Sequence, residues 1–146
     1  LGKMSGGVGA DLSEGALRVS EKNKAALGIE NVTFLRSDLF ENIHETYDII
    51  VSNPPYIPTK VIEELKSEVK DHEPRMALDG TEDGLLFYRA FAREAMDYLS
   101  EGGHLLVEIG YDQGEAVRGL LIQGGFKDVK VYKDLAGLDR VVSGRK

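Results

Sequence analysis

Residues 47–58 read YDIIVSNPPYIP, an apolar run that ends at a proline-rich corner. The run at 47–51 is nearly continuous, which is typical of a strand that is buried on both faces of a parallel sheet. Asn53, Pro54, Pro55 and Tyr56 follow it closely, so we expect them at the carboxyl end of a central strand. Ligands bind at that edge of open α/β sheets. These four residues are therefore the first candidates for a functional site.

Strand-like and helix-like segments alternate on both sides of this stretch, which predicts an α/β fold with a Rossmann-like sheet. Upstream, strands are predicted at 8–11 and 32–36, around a helix that has Ser13 as its N-cap and ends near Leu27, with Gly28 as its C-terminal stop. Downstream, we predict a helix at 59–69, a loop at 71–81, a helix from about 83, a turn at 102–103, a strand at 105–109 and a helix that ends at 124–125. Strands at about 129–132 and 140–143 are too close for a crossover helix, so they should pair antiparallel. The sheet is otherwise expected to be parallel.

Length and composition narrow the class of protein. The 146 residues are enough for a single domain, and the net charge of −7 argues against a domain that grips nucleic acid through its phosphates. The chain has no cysteine, which excludes thiol catalysis and disulfides. His44, His72 and His104 lack metal-ligand spacing, so no metal site is expected. Neither a membrane-spanning run nor a signal peptide is apparent, and a cytoplasmic location is the default expectation.

The corner itself predicts a chemistry. Each proline fixes a φ angle and restricts the residue before it, so the side-chain oxygen of Asn53 and the carbonyl oxygen of Pro54 point in fixed directions. Two such acceptors bind both N–H hydrogens of a planar amide or amine, whose lone pair then faces an electrophilic methyl group. Tyr56 is expected to stack on the planar group and to favour a nearby sulfonium cation. Asn53, Pro54 and Tyr56 are therefore predicted to catalyse methyl transfer to nitrogen by alignment and electrostatics.

Residues 47–58 resemble the active-site segment of the release-factor glutamine N5-methyltransferases, the HemK family. The likeness extends along most of the chain, through ADLSEGALRVSEKN at 10–23, SDLF at 37–40, EPRMALDGTEDGLLFYR at 73–89, EIGYDQGEAVR at 108–118 and KDLAGLDRVV at 133–142. The NPPY motif alone is shared with adenine and RNA methyltransferases. The segments that begin with EPR and EIG are more specific to the glutamine branch.

The resemblance implies a methyltransferase that uses S-adenosyl-L-methionine, releases S-adenosyl-L-homocysteine and acts on the glutamine of a peptide-chain release factor. It implies that residues 53–56 bind the glutamine and that Asn53 also reaches the cofactor. It further implies that Asp11 binds the ribose hydroxyls, and that Asp38 and Leu39 flank the adenine. Without the resemblance, Asp11 suits the start of a helix equally well. Arg75 is expected to have a structural role in its loop.

The chain departs from the family pattern before Asp11. The family's glycine-rich cofactor loop is expected roughly twenty residues before that aspartate, whereas ten residues precede it here. We therefore expect an N-terminally truncated domain without the first strand, and a gap between the strands near Asp11 and Ile50. Residues 1–146 alone are expected to bind S-adenosyl-L-methionine weakly or undetectably. Calorimetric titration that gives a low-micromolar affinity would contradict this expectation.

Three other functions fit part of the pattern. A ribosomal-protein glutamine methyltransferase would carry the same motifs. A nucleic-acid amino-group methyltransferase would use the same corner. However, the negative net charge and the segments that begin with EPR and EIG favour a protein substrate over direct nucleic-acid binding. A non-catalytic fragment that only binds partners would account for the missing cofactor loop.

Overall fold

The computed structural model describes residues 6–64 and 78–146. It divides into two compact units, Leu1–His44 and Glu45–Lys146. Each unit is described by itself, and the prediction of a single domain stays a prediction. Within the described residues, no helix has the length and apolar content needed to cross a membrane.

The first unit is a strand-helix-strand element. Strands β1 (Gly7–Asp11) and β2 (Val32–Arg36) pair in parallel, and helix α1 (Glu14–Ala26) connects them. The side chain of Ser13 accepts a hydrogen bond from the backbone N–H of Ala16, which caps the first turn of α1. Gly28 takes a φ of +63° just after the helix ends, a conformation that glycine adopts without strain. Both predicted ends of this helix are confirmed.

The second unit contains a four-stranded sheet in the order β3-β4-β6-β5. Its elements in chain order are β3 (Tyr47–Ser52), α2 (Thr59–Glu64), α3 (Leu86–Glu94), a 3-10 helix (Ala95–Tyr98), β4 (Leu99–Glu108), α4 (Gly114–Gln123), β5 (Lys127–Lys133) and β6 (Asp139–Arg145). Strand β3 is parallel to β4, whereas β6 is antiparallel to both β4 and β5. The predicted antiparallel pair is confirmed, and β6 lies between its two partners. Strands β1 and β3 belong to different sheets, and the expected gap between them stays a prediction.

Strand β3 differs from the prediction in its burial. Ile49 is 61% exposed and Val51 is 74% exposed, so the expectation that both faces of this strand are buried is wrong. Alternate residues of a strand share a face, and one face of β3 is thus largely open. Ile49 and Val51 are two residues apart and share this face, and none of the described helices covers it closely enough to bury them. An apolar run reports the composition of a strand but not which neighbours cover it.

Strand β4 and helix α3 also begin at other residues than predicted. The turn expected at residues 102–103 is part of β4, and the register shifts from Tyr47 opposite Leu99 to Ile49 opposite His104. Gly102 takes a φ of +76° there, so the extra residues form a bulge and the strand continues. Helix α3 begins at Leu86, three residues after the predicted start. The first part of the helix predicted at 59–69 is α2. The rest of that helix, and most of the loop predicted at 71–81, lie outside the described residues.

The core of the second unit lies between this sheet and the helices α3 and α4. Its largest fully buried side chains are Tyr88, Leu99, Leu105, Val107, Ile109, Val117, Leu121 and Val142. Val117 and Leu121 form the buried face of α4, whereas Ala116 is exposed. Burial of this apolar surface is the main stabilising contribution to the unit.

Tyr88 is the one large polar side chain among these buried residues of the second unit. Its hydroxyl donates to the carbonyl oxygen of Glu108 at 2.8 Å. Tyr88→Phe is expected to lower the free energy of unfolding by about 1–2 kcal/mol, because the half-buried carbonyl of Glu108 loses its partner. Urea unfolding would measure this loss. Tyr132→Phe is the control, since Tyr132 is 49% exposed and should change stability by less than about 0.5 kcal/mol. Equal losses for the two variants would contradict the assignment.

Candidate active site

The corner at residues 53–56 follows β3 directly. Asn53 is exposed, Pro54 is buried, and Pro55 and Tyr56 are partly exposed. Within residues 6–64 and 78–146, neither the Asn53 side chain nor the Pro54 carbonyl hydrogen-bonds to another residue. Among the described residues, therefore, none occupies either oxygen, and the corner lies at the edge of the sheet where β3 and its parallel neighbour β4 end.

Residues 78–84, here called the support loop, hold the chain just after the corner. Ile57 forms a parallel bridge with Asp79. The N–H of Ile57 donates to the carbonyl of Leu78 at 3.0 Å, and the N–H of Gly80 donates to the carbonyl of Ile57 at 2.9 Å. These backbone bonds make the support loop a short partner strand for the residues that leave the corner.

The Asp79 carboxylate fixes the shape of the support loop. Its Oδ1 accepts from the Thr59 hydroxyl at 2.7 Å and from the backbone N–H of Thr81 at 2.9 Å. Thr81 has a φ of +72°, which is an uncommon conformation for a β-branched residue. The loop therefore keeps a strained residue in place with hydrogen bonds to the start of α2.

Two glycines allow the support loop to approach Tyr56 closely. A Cβ on Gly80 would lie 2.9 Å from the backbone carbonyl carbon of Tyr56. A Cβ on Gly84 would overlap the Tyr56 carbonyl oxygen and lie 2.7 Å from Nε2 of Gln113. Gly84 also has a φ of +71°, so its position needs glycine for two separate reasons.

Gln113 lies at the start of α4 and is 8% exposed. Its Nε2 donates to the carbonyls of Tyr56 at 3.0 Å and Gly84 at 3.3 Å, and its Oε1 accepts from the N–H of Gly110 at 2.9 Å. No role for Gln113 was predicted from the sequence. The available signal was its place in the segment EIGYDQGEAVR at 108–118, whereas composition and periodicity do not distinguish it from an ordinary helix start.

Tyr88 lies close to the corner from the side of the core. Burial raises the pKa of the Tyr88 phenol above its ordinary value, and the nearby Tyr56 and Glu108 raise it further. Because the phenol stays protonated, it remains a donor to the Glu108 carbonyl. This contact belongs to the structural support of the site.

In the first unit, the residues predicted to bind the cofactor lie at one edge of the two-stranded sheet. Asp11 is exposed at the carboxyl end of β1, opposite Arg36, and the exposed Asp38 lies two residues beyond Arg36. Oδ1 of Asp11 accepts from the N–H of Ser13 at 2.7 Å. The carboxylate therefore contacts the start of α1 with Oδ1, and no donor from residues 6–64 or 78–146 contacts its second oxygen.

Leu39 has an unusual backbone conformation in the same unit. Its φ is +48°, and its carbonyl accepts from the buried Ser37 hydroxyl at 2.9 Å. The Ser37 oxygen in turn accepts from the backbone N–H of Asn42 at 3.0 Å. The turn at residues 37–42 is thus built around Ser37, and it presents Asp38 and Leu39 next to the end of β2.

The structure brings Asn53, Pro54, Pro55 and Tyr56 together in the second unit, and it places Asp11, Asp38 and Leu39 at one sheet edge in the first. Arg75 and His72 lie outside the described residues. Among the residues that the structure describes, no three acidic or histidine side chains cluster in a way that would hold a metal ion. The individual roles of the predicted site residues stay predictions.

Comparison with solved structures defines the class of fold. A methyltransferase from Pyrococcus furiosus superposes with a TM-score of 0.68 at 18% identity, over 95% of this chain and 61% of that chain. A release-factor-specific protein-(glutamine-N5) methyltransferase from Alicyclobacillus acidocaldarius superposes with a TM-score of 0.52 at 24% identity, over 97% of this chain and 80% of that chain. Residues 5–70 match the family model of the methyltransferase small domain. The predicted α/β methyltransferase fold is confirmed.

Sequence relatives then define the family. The release factor glutamine methyltransferase of Geobacter sulfurreducens is 46% identical over 94% of this chain and 49% of its own length. Those of Caulobacter vibrioides and Clostridium botulinum are 46% and 49% identical over 96% and 80% of this chain. This chain belongs to the release factor glutamine methyltransferase family. It spans about half the length of these curated relatives.

Proposed function

We propose that the protein carrying this chain methylates the side-chain amide nitrogen of a glutamine in a peptide-chain release factor, with S-adenosyl-L-methionine as the methyl donor. Family membership supports the reaction, since the relatives are named for it. The observation that carries the proposal is the corner at residues 53–56. Its two predicted acceptor oxygens make no hydrogen bond within the described residues and follow directly on the end of β3.

The residues of the corner would act by orientation. The Asn53 side-chain oxygen and the Pro54 carbonyl each accept one N–H hydrogen of the glutamine amide. The amide nitrogen is a poor nucleophile because its lone pair is delocalised, and two fixed acceptors align it with the electrophilic carbon without prior loss of a proton. The partly exposed Tyr56 ring lies against the planar amide. These residues would therefore lower the barrier by alignment and by stabilising the positive charge that develops on the amide nitrogen as the C–N bond forms and the S–C bond of the methyl donor breaks. S-adenosyl-L-homocysteine would be the leaving group, and one N–H proton would be lost to water after the methyl group has arrived.

The chemistry of the first unit fits the cofactor. The exposed carboxylates of Asp11 and Asp38 suit the ribose hydroxyls and the adenine amino group, and Leu39 offers an apolar surface for the ring. The bound cofactor would supply the electrophilic methyl group. The Asp11 carboxylate oxygen that does not contact Ser13 would accept a hydrogen bond from a ribose hydroxyl. The contact with the start of α1 and the proposed contact with ribose are therefore compatible.

Transfer of radiolabel from methyl-labelled S-adenosyl-L-methionine tests the proposal. The full-length protein is incubated separately with a release factor, a ribosomal protein and DNA. Label on the release factor that maps to a glutamine supports the proposal. Label only on the ribosomal protein would move the assignment to that substrate, and label on DNA would overturn a protein-glutamine activity.

A further inference from the structure

The side-chain amide of Gln113 connects the corner, at Tyr56, to two other backbone segments, the support loop at Gly84 and the turn after β4 at Gly110. It donates to the carbonyls of Tyr56 and Gly84 and accepts from the N–H of Gly110, with distances of 3.0, 3.3 and 2.9 Å. We infer that Gln113 is a positioning residue, which holds residues 53–56 in the orientation required for methyl transfer. The inference rests on the proposed function, because it concerns how that same site is kept in shape.

The three partners require an amide at this position. Two are carbonyl oxygens, which need donors, and one is an N–H, which needs an acceptor. A primary amide has two N–H donors and one carbonyl oxygen. The opposite orientation of the Gln113 side chain would place its oxygen against two carbonyls, so the partners themselves fix which end is nitrogen. A carboxylate of the same size would meet the two carbonyls without a hydrogen to share.

The backbone of Gln113 is also held by hydrogen bonds. The backbone N–H of Gln113 donates to the Gly110 carbonyl at 3.0 Å, and its carbonyl accepts from the N–H of Val117 at 3.0 Å in the first turn of α4. With its main chain held at both ends and its side chain buried, Gln113 has little freedom to follow a movement of Tyr56. The turn after β4 and the start of α4 therefore hold Gln113 in place, and its side chain in turn restricts the Tyr56 carbonyl.

The bond to Tyr56 limits the torsions that still allow the corner to move. Peptide planes are rigid, and the prolines at 54 and 55 fix two φ angles. The remaining freedom lies in the ψ angles of the prolines and in the torsions of Tyr56. A hydrogen bond at the Tyr56 carbonyl restricts these, and the close approach of Gly84 blocks the carbonyl on its other side. This combination restrains the backbone that carries the Asn53 side chain and the Pro54 carbonyl.

The test is Gln113→Glu in the full-length protein, because this change keeps the size of the side chain and removes the donors. We expect kcat for glutamine methylation to fall about 10-fold at neutral pH while the KM for S-adenosyl-L-methionine stays the same, since the defect is one of alignment. Lowering the pH should reduce the difference in kcat between Gln113→Glu and the unchanged protein, because the protonated carboxyl of the variant can donate one hydrogen bond. Val142→Ala is the matched control: it removes buried volume from β6 and lowers the Tm without contact with the corner.

Nuclear magnetic resonance provides a readout that does not depend on activity. The Gln113 side-chain NH2 signals should be protected from exchange in the unchanged protein. The backbone signals of residues 53–57 should shift in Gln113→Glu and stay in place in Val142→Ala. Unshifted corner signals, or equal losses of kcat in the two variants at equal folded fraction, would overturn the positioning role. If the unchanged protein methylates no glutamine, the proposed function fails, and the spectra still decide whether Gln113 orients the corner.

Discussion

Replacement of Asn53 by alanine is expected to reduce kcat for glutamine methylation by about 10²–10³-fold, the range measured when one preorganised hydrogen-bonding group is removed from an active site. The Asn53 side chain is exposed and makes no hydrogen bond to the described residues, so its loss should leave the fold unchanged. Without it, one N–H of the substrate amide has no acceptor and the lone pair is no longer held toward the methyl group. The measurement is single-turnover transfer of labelled methyl groups to a release factor.

Asn23→Ala is the matched control for this variant. Asn23 is exposed on α1, where alanine is the better helix former, so both activity and stability should be retained. A thermal melt should give the same Tm for Asn53→Ala and for the unchanged protein. Retention of full activity in Asn53→Ala would show that the amide nitrogen is oriented by other groups, and the proposed mechanism would fail.

Gly84→Ala is expected to give the largest loss of stability among the glycine changes near the corner. The residue has a φ of +71°, and an added Cβ would overlap the Tyr56 carbonyl oxygen. The strained φ and the forced displacement of backbone should together lower the free energy of unfolding by about 2–4 kcal/mol. Because the displaced atom belongs to the corner, kcat should fall as well. Urea unfolding and the methyl-transfer assay measure the two effects.

Gly102→Ala separates the cost of a strained φ from the cost of displacing neighbouring backbone. Gly102 has a similar φ of +76°, but a Cβ there would meet nothing within 4 Å. This variant should lose only the cost of the backbone conformation, about 1 kcal/mol, and retain its kcat. If both variants lost the same stability and neither lost activity, the support loop would be free to move away from Tyr56, and its role in holding the corner would be refuted.

Much of the fold follows from short stretches of sequence. Ser13 and Gly28 mark the ends of α1 because capping involves residues within one helical turn. The strand at 32–36 and the corner at 53–56 are also where local patterns place them. The burial of β3 was predicted wrongly, because the exposure of Ile49 and Val51 depends on which elements pack over that face of the sheet.

The sequence by itself determined the class of fold, the position of the corner after a strand and the family, since each depends on residues that are adjacent or regularly spaced. Only the tertiary structure revealed what supports the corner. Gln113 and Tyr56 are 57 residues apart in the chain, and the need for glycine at position 84 comes from the Tyr56 carbonyl and from a backbone angle. Such contacts arise when the ends of β3 and β4 meet at one edge of the sheet, and no local propensity encodes them.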